Sequence, residues 1–299
     1  MNKTLVCIAG YGRSGSTMLE MLLARRLDAL GLGEVKYAWS RGFLRGDTCS
    51  CGKAAQDCPF WQAALGRVRQ AIGKGPNEAE ALRNAVERNR HHWAHRLLGI
   101  PSSRYDEARA QYVSLLSQIY AQAEAFGSGD YLIDSSKDPA HVDLAIDAWS
   151  GRTVVIHLVR DPRAVVYSRR YSRRSPDALR QNGVLRSCTE WNAINVASDK
   201  LRHRAEYALV RYEDLSTDPG VLHELVTQIA GGDTPPPNST GGGTGHALSG
   251  NSMRWEVDGI EAPVLDTRWH TALPAWERRL TGVLCAPVMA RYGYSSAAD

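Results

Sequence analysis

The sequence predicts an α/β fold in which a central parallel β-sheet carries helices on both faces. Two observations predict it. Short runs dense in Val, Ile, Leu or Tyr, at Thr4–Ala9, Tyr131–Asp134, Thr153–Val159 and Tyr207–Arg211, each lead into a helical pattern. Strands that alternate with helices in this way form parallel sheets covered on both sides. The first run also passes directly into Gly10-Tyr11-Gly12-Arg13-Ser14-Gly15-Ser16-Thr17, which has the Gly-x4-Gly spacing of a phosphate-binding loop between a strand and a helix.

Taken in order, Thr4–Ala9 is followed by a helix over Ser16–Leu30, with Met18, Leu19, Leu22, Leu23 and Leu27 at helical spacing. A long Ala- and Arg-rich helical stretch, about 60–126, is interrupted near Gly73–Pro76 and Gly99–Ser103. A parallel sheet does not need it, so it reads as an insert over the strand ends, able to shape a pocket or merely to support the fold. After Tyr131–Asp134, Pro139 opens a helix carrying Val142, Ala145, Ile146 and Trp149. After Thr153–Val159, Asp161-Pro162 supplies a cap and a first turn. After Tyr207–Arg211, Ser216 to Pro219 begins the helix Val221–Ile229. The Gly- and Pro-rich segment at about 231–246 reads as a flexible loop. No internal repeat is visible, and residues 1–299 are expected to form one domain.

Composition narrows the function classes. The chain has 299 residues, 43% hydrophobic and 23% charged, with a formal net charge of +4 and a pI near 8.7. That balance does not suggest a nucleic-acid partner, which usually brings a higher pI and clustered Lys and Arg. Of 36 cationic residues 30 are Arg. A GC-rich coding bias accounts for much of this, and the bidentate grip of guanidinium on phosphate or sulfate is the functional alternative. Residues 1–9 hold only a short apolar run and no stretch of about 18 apolar residues occurs, so neither a leader nor a transmembrane segment is expected, and the location is read as cytoplasmic. Oligomeric state is not readable.

Beyond the first loop, Val159-Arg160-Asp161-Pro162-Arg163 continues through Ser168. Arg160 would stand at the C-terminal end of a strand, where open α/β sheets bind ligands, and Ser168 falls two turns into the next helix. Arg169, Arg170, Arg173 and Arg174 extend a basic stretch, at least two of them read as a solvated helix face. In the first loop a nucleotide-hydrolysing enzyme would carry Lys after the second Gly; here Ser16 stands there and the cation, Arg13, lies inside the loop. The loop should therefore bind a phosphate-like group without the usual Mg–triphosphate arrangement.

These two segments, in this order, resemble the sulfotransferases that use 3′-phosphoadenosine 5′-phosphosulfate (PAPS). The resemblance continues through Asp134-Ser135-Ser136-Lys137-Asp138-Pro139, Arg211-Tyr212-Glu213-Asp214-Leu215 and Ser249-Gly250-Asn251-Ser252-Met253-Arg254. The stretch Cys49-Ser50-Cys51-Gly52…Cys58-Pro59-Phe60-Trp61 looks like a bacterial branch related to tyrosylprotein and carbohydrate sulfotransferases. The resemblance implies a P-loop-like three-layer fold and transfer of a sulfuryl group to a hydroxyl or amine of a small-molecule, carbohydrate or lipid acceptor, leaving adenosine 3′,5′-bisphosphate. It places Gly12, Arg13, Ser14, Gly15, Ser16 and Thr17 around the 5′-phosphosulfate, and Arg160, Ser168 and Arg254 on the 3′-phosphate. Tyr212 would border the adenosine, with Gly250 and Asn251 in a segment closing over the nucleotide. Arg13, Lys137 and Ser249 would act on the transferring group, with Arg13 at the bridging oxygen. Proton removal from the acceptor needs a base. Glu34 is the candidate, against an exposed turn carboxylate; His157 reads as a core residue and His246 as a weaker alternative base. The competing classes are a P-loop kinase or NTPase and a non-catalytic nucleotide-binding protein.

Transfer by this route needs no metal, and no metal ligand is assigned. Cys49, Cys51 and Cys58 have C-x-C-x6-C spacing, but a tetrahedral zinc site takes four ligands and no fourth is evident; the nearest histidines, His91 and His92, are more than thirty residues away. Reduced thiols, a local disulfide and a zinc site remain open.

Overall fold

A computed structural model describes residues 3–99, 102–171, 183–232, 245–250 and 264–295. Five strands, β1 (Thr4–Ala9), β2 (Leu30–Gly31), β3 (Tyr131–Lys137), β4 (Thr153–Val159) and β5 (Glu206–Arg211), pair in parallel in the order β2-β3-β1-β4-β5. The α/β class and all four strands read from the sequence are present. Strand β1 is central, and its residues divide by parity: Leu5, Cys7 and Ala9 enter one core, Val6 and Ile8 the other. A strand buried on both faces is why Thr4–Ala9 reads as an unbroken apolar run rather than an alternating one.

One face is covered by α1 (Ser16–Leu27) and the helix Pro219–Ala230. The other is covered by α6 (Pro139–Ala148) and by the helical stretch, which folds as α2 (Pro59–Ile72), α3 (Pro76–Val86), α4 (Asn89–Leu98) and α5 (Ser103–Phe126). The breaks fall where the glycines require them, Gly73 and Gly99 both closing helices in the left-handed region. Helix α1 ends at Leu27, three residues before the expected Leu30, because Asp28 turns left-handed (φ 50°) and frees Leu30 and Gly31 to pair with β3.

The chain passes from β1 outward to β2 and β3, then returns across β1 to β4 and β5. The loop after β1 therefore lies at the point where strand order reverses, the ligand crevice of open α/β sheets. Gly10 makes the turn possible. Its φ is +136°, and a Cβ there would lie 2.3 Å from the Leu158 carbonyl oxygen on β4. Gly10→Ala is expected to cost at least about 2 kcal/mol through this clash and strain; an unchanged urea midpoint would show that β1 and β4 can part at this point. No described helix is long and apolar enough to cross a membrane.

Candidate active site

The first site residues come from the loop Gly10–Gly15. Arg13 (φ 74°) and Gly15 (φ 95°) are both left-handed, a backbone alternation that turns successive N–H groups toward one concavity. Gly15 precedes α1, whose first turn holds no side-chain cap and no acidic residue, so its N–H groups remain available to an anion. Ser14 is buried, and its Oγ has no hydrogen-bond partner among the described residues. A buried hydroxyl without a partner costs free energy unless a ligand supplies one.

The later segment is tied to this loop through Arg13. The Arg13 Nε donates to Ser168 Oγ at 3.0 Å, and Arg160 Nη1 donates to the Arg13 carbonyl at 3.1 Å. Arg160 is buried, lies 4.4 Å over the Tyr212 ring, and keeps an Nε without a partner among the described residues. The Tyr212 ring also closes one side of the loop, since a Cβ on Gly15 would lie 2.8 Å from it. Ser168 sits in the helix Pro162–Arg170, held at its start by the Asp161 side chain accepting from the Arg163 N–H. Of the basic run, Arg169 is buried against Tyr11 and Glu190, and Arg170 pairs with Glu277 at 3.1 Å. Neither lies on a solvated face; Arg173 and Arg174 fall outside the described residues.

The second group gathers at the ends of β3 and β2. Lys137 closes β3 with φ 68°, after a register shift against β1, and its carbonyl accepts from the Gly10 N–H at 2.9 Å. Its Nζ lies 2.5 Å from Glu34 Oε1. Glu34 is only 7% exposed, so the exposed-turn alternative fails. Ser249 (φ 62°) accepts at Oγ from Arg41 Nη1 at 2.7 Å, and the same nitrogen stands 3.8 Å from Glu34 Oε2. Four described residues other than glycine have positive φ: Arg13, Asp28, Lys137 and Ser249. Three of them, Arg13, Lys137 and Ser249, are residues that the resemblance implies at the reacting group, and backbone strain of this kind collects where a site needs a fixed geometry. Gly250 is exposed beside Ser249; Asn251 and Arg254 lie outside the described residues.

A sequence profile described as the sulfotransferase family matches residues 6–230. The chain belongs to the sulfotransferase family. Among solved structures, it resembles a sulfotransferase domain from the Synechococcus PCC 7002 olefin synthase (TM-score 0.48, 20% identity, 96% of this chain and 94% of that one). It also resembles a sulfotransferase domain from the curacin biosynthetic pathway (TM-score 0.47, 15% identity, 99% of each chain) and the sulfotransferase STF9 from Mycobacterium avium (TM-score 0.48, 11% identity, 98% and 78%). A search of curated proteins gives no match.

Two polar residues of this sulfotransferase's site escape sequence reasoning. Arg41 reaches both Glu34 and Ser249 from a one-turn π-helix, Ala38–Phe43, its guanidinium 3.8 Å over the Tyr37 ring. Glu20, on the buried side of α1, accepts from the Gly33 N–H at 2.8 Å and from Ser135 Oγ at 2.6 Å. Burial pushes its carboxyl up to about 7 against the pull of those donors. It thereby fixes the turn before Glu34 to the strand that carries Lys137. A carboxylate in an otherwise apolar helix face was the one available sign. His157 is a core residue as expected, between Tyr207 Oη at 2.6 Å and Asn195 Oδ1 at 2.9 Å. His246 faces the cysteines, away from the role of base.

Proposed function

We propose that this sulfotransferase moves a sulfuryl group from PAPS, in line, to a hydroxyl or amine of a small-molecule, carbohydrate or lipid acceptor and releases adenosine 3′,5′-bisphosphate in the cytoplasm. The observation that carries the reading is the loop Gly10–Gly15, with the unpartnered Ser14 Oγ inside it and Arg13 linking it to Ser168 and Arg160. One donor with an anionic group at each end fits those two linked positions.

Charge builds on the bridging oxygen as the S–O bond breaks, and preorganised cations and N–H groups are what such a transition state rewards. In this reading Gly12, Ser14, Gly15, Ser16 and Thr17 hold the 5′-phosphosulfate, while Arg13 meets the bridging oxygen. Arg160 and Ser168, with Arg254, hold the 3′-phosphate, Tyr212 borders the adenosine, and Gly250 and Asn251 belong to the closing segment. Lys137 contacts the sulfuryl oxygens and Glu34 takes the acceptor's proton. Their 2.5 Å pairing supports this division of labour. Each holds the other in place until a sulfuryl oxygen takes the ammonium and an acceptor hydroxyl takes the carboxylate. Ser249, oriented by Arg41, would add a donor to the same group. Charge is handled by Arg and Lys without a metal in the reaction.

The test is thermal shift with adenosine 3′,5′-bisphosphate, PAPS and ATP with Mg. Stabilisation by the bisphosphate and PAPS is expected; stabilisation by ATP–Mg alone would mark a kinase-like enzyme. Arg160→Ala is expected to weaken the bisphosphate by roughly 10- to 100-fold, the worth of a lost charge-assisted contact, and to leave the 3′-dephospho nucleotide nearly unaffected. Equal losses for both would move Arg160 out of the 3′ site.

A further inference from the structure

The three clustered cysteines have a fourth partner that sequence distance hides. His246 brings its Nδ1 to 3.1 Å from Cys58 Sγ and 3.6 Å from Cys49 Sγ. Cys58 Sγ lies 3.7 Å from Cys51 Sγ and 3.7 Å from Cys49 Sγ. All four donor atoms fall within 4.8 Å of one another. From these positions we infer that Cys49, Cys51, Cys58 and His246 form a structural Zn²⁺ site, with His246 bound through Nδ1.

The distances decide between the alternatives left open above. A tetrahedron with Zn–S near 2.3 Å and Zn–N near 2.0–2.1 Å has S–S edges of about 3.8 Å and S–N edges of about 3.6 Å. The two Cys58 sulfur separations of 3.7 Å and the 3.6 Å between Cys49 Sγ and His246 Nδ1 match edges of that size, and the 3.1 Å between Cys58 Sγ and His246 Nδ1 is shorter than its edge. Cys58 stands equally far from two sulfurs, which is the arrangement of three corners around a common centre and not of one bonded pair with a bystander. The surroundings offer hydrogen-bond donors to the sulfurs. Backbone N–H groups of Cys51 and Lys53 reach the sulfurs of Cys49 and Cys51, and Cys58 occupies the N-cap of α2, where the helix dipole favours negative charge. The His246 ring is fixed between Phe60, stacked at 5.1 Å, and Phe126, edge-on at 4.8 Å. Cys49 and Cys58 are fully buried and His246 nearly so. Binding displaces the thiol protons to solvent. Four protein donors leave no open position for substrate, so the ion is structural and plays no part in the transfer.

Its location gives it a task. Ser50 Oγ donates to the Gly245 carbonyl and accepts from the Ala247 N–H, and Trp61 Nε1 donates to the His246 carbonyl at 2.8 Å. From there the chain runs as Leu248 and Ser249 beside the site: Leu248 N–H donates to Leu32, and Glu34 N–H donates to Leu248 at 2.9 Å. The ion would thus clamp the segment bearing Ser249 to the turn bearing Glu34.

Metal analysis of the full-length protein, purified without a histidine tag and dialysed against metal-free buffer, is expected to find about one zinc per chain. Mercurial titration of the thiols should release it. Cys58→Ser and His246→Asn should each reduce it to trace, while Cys285→Ala, outside the cluster, keeps it. Should the first two variants fail to fold, wild-type protein refolded with Co²⁺ provides the readout: thiolate-to-cobalt charge transfer and intense d–d bands report tetrahedral thiolate coordination. Wild-type protein with only trace zinc and no such bands, two of the three cysteines joined in a disulfide by intact mass, or zinc that survives both substitutions would each overturn the site.

Discussion

Arg13→Ala is expected to lower release of adenosine 3′,5′-bisphosphate from PAPS, to acceptor or to water, by about 10²–10³-fold, the cost of removing one preorganised donor from a developing oxyanion. Nucleotide affinity should change far less, because the N–H groups of the loop and of α1 stay where they are. A rate lost with binding kept is the signature of a contact made only in the transition state. The geometry makes Arg13 a fixed group: its backbone is held left-handed, its carbonyl accepts from Arg160, and its Nε is engaged by Ser168. Arg13→Lys should recover only part of the rate, since a point charge cannot hold Ser168 and the bridging oxygen together as a guanidinium fork can. Single-turnover measurement with labelled donor separates the two quantities. Near-normal turnover in Arg13→Ala would remove Arg13 from the chemistry, and a matching loss of affinity would make it a ground-state binder.

The parts of this site that the sequence discloses are those built by local rules. Gly10, Arg13 and Gly15 lie on one turn whose spacing is set by the turn itself, and Arg160 follows a run of apolar residues whose end is a strand's end. Strand β3 reads only to Asp134 because Ser135, Ser136 and Lys137 have no strand composition; pairing with β1, down to Ala9 against Lys137, draws them into the sheet. Strand β2 is two residues long and exists only through its register with Leu132 and Ile133. The helix Tyr212–Thr217 likewise precedes the expected one, and Asp218 caps the start of Pro219–Ala230. Arg41 and His246 could not be assigned in advance for a related reason. Their partners Ser249 and Cys58 are 208 and 188 residues away in sequence, and no local pattern encodes a contact made by folding. Arg169 owes its place to contacts of the same kind: within a run of arginines, folding brings it against Tyr11 and Glu190.

Replacing His141 by Leu is expected to cost about 3–5 kcal/mol of stability, the penalty of stranding buried charges. His141 is fully buried on α6, with Nδ1 2.6 Å from Glu87 and Nε2 2.9 Å from Asp134, both carboxylates themselves buried. Tyr112 and Tyr120 donate to the same two oxygens, and Lys36 Nζ lies 3.5 Å from Glu87. Burial by itself would lower the imidazole's pKa, but the two carboxylates outweigh it and push it up to about 10. A folded value above the ordinary 6.5 means that the stability from this proton is complete below pH 6.5 and is lost as pH rises toward 10. Within that window the unfolded chain has released a proton that the folded chain retains. His141 should therefore contribute a fall in wild-type stability of one proton's slope, about 1.4 kcal/mol per pH unit, to which the buried thiols add in the same sense near pH 9. Asp134, held below its usual value despite burial, acts with the opposite sign and loses its contribution in acid. Urea unfolding across pH 6–10 tests the slope, and the imidazole resonances should still report a charged ring at pH 8. A ring that titrates near 6.5, or a variant as stable as the parent at pH 7, would show that the network does not depend on a charged imidazole. The network is also joined to the Glu34–Lys137 pair. Lys36 lies two residues beyond Glu34 and bonds Asp138, which follows Lys137 and caps α6, so losing the charge at His141 should loosen the Glu34–Lys137 pair before the whole sheet gives way.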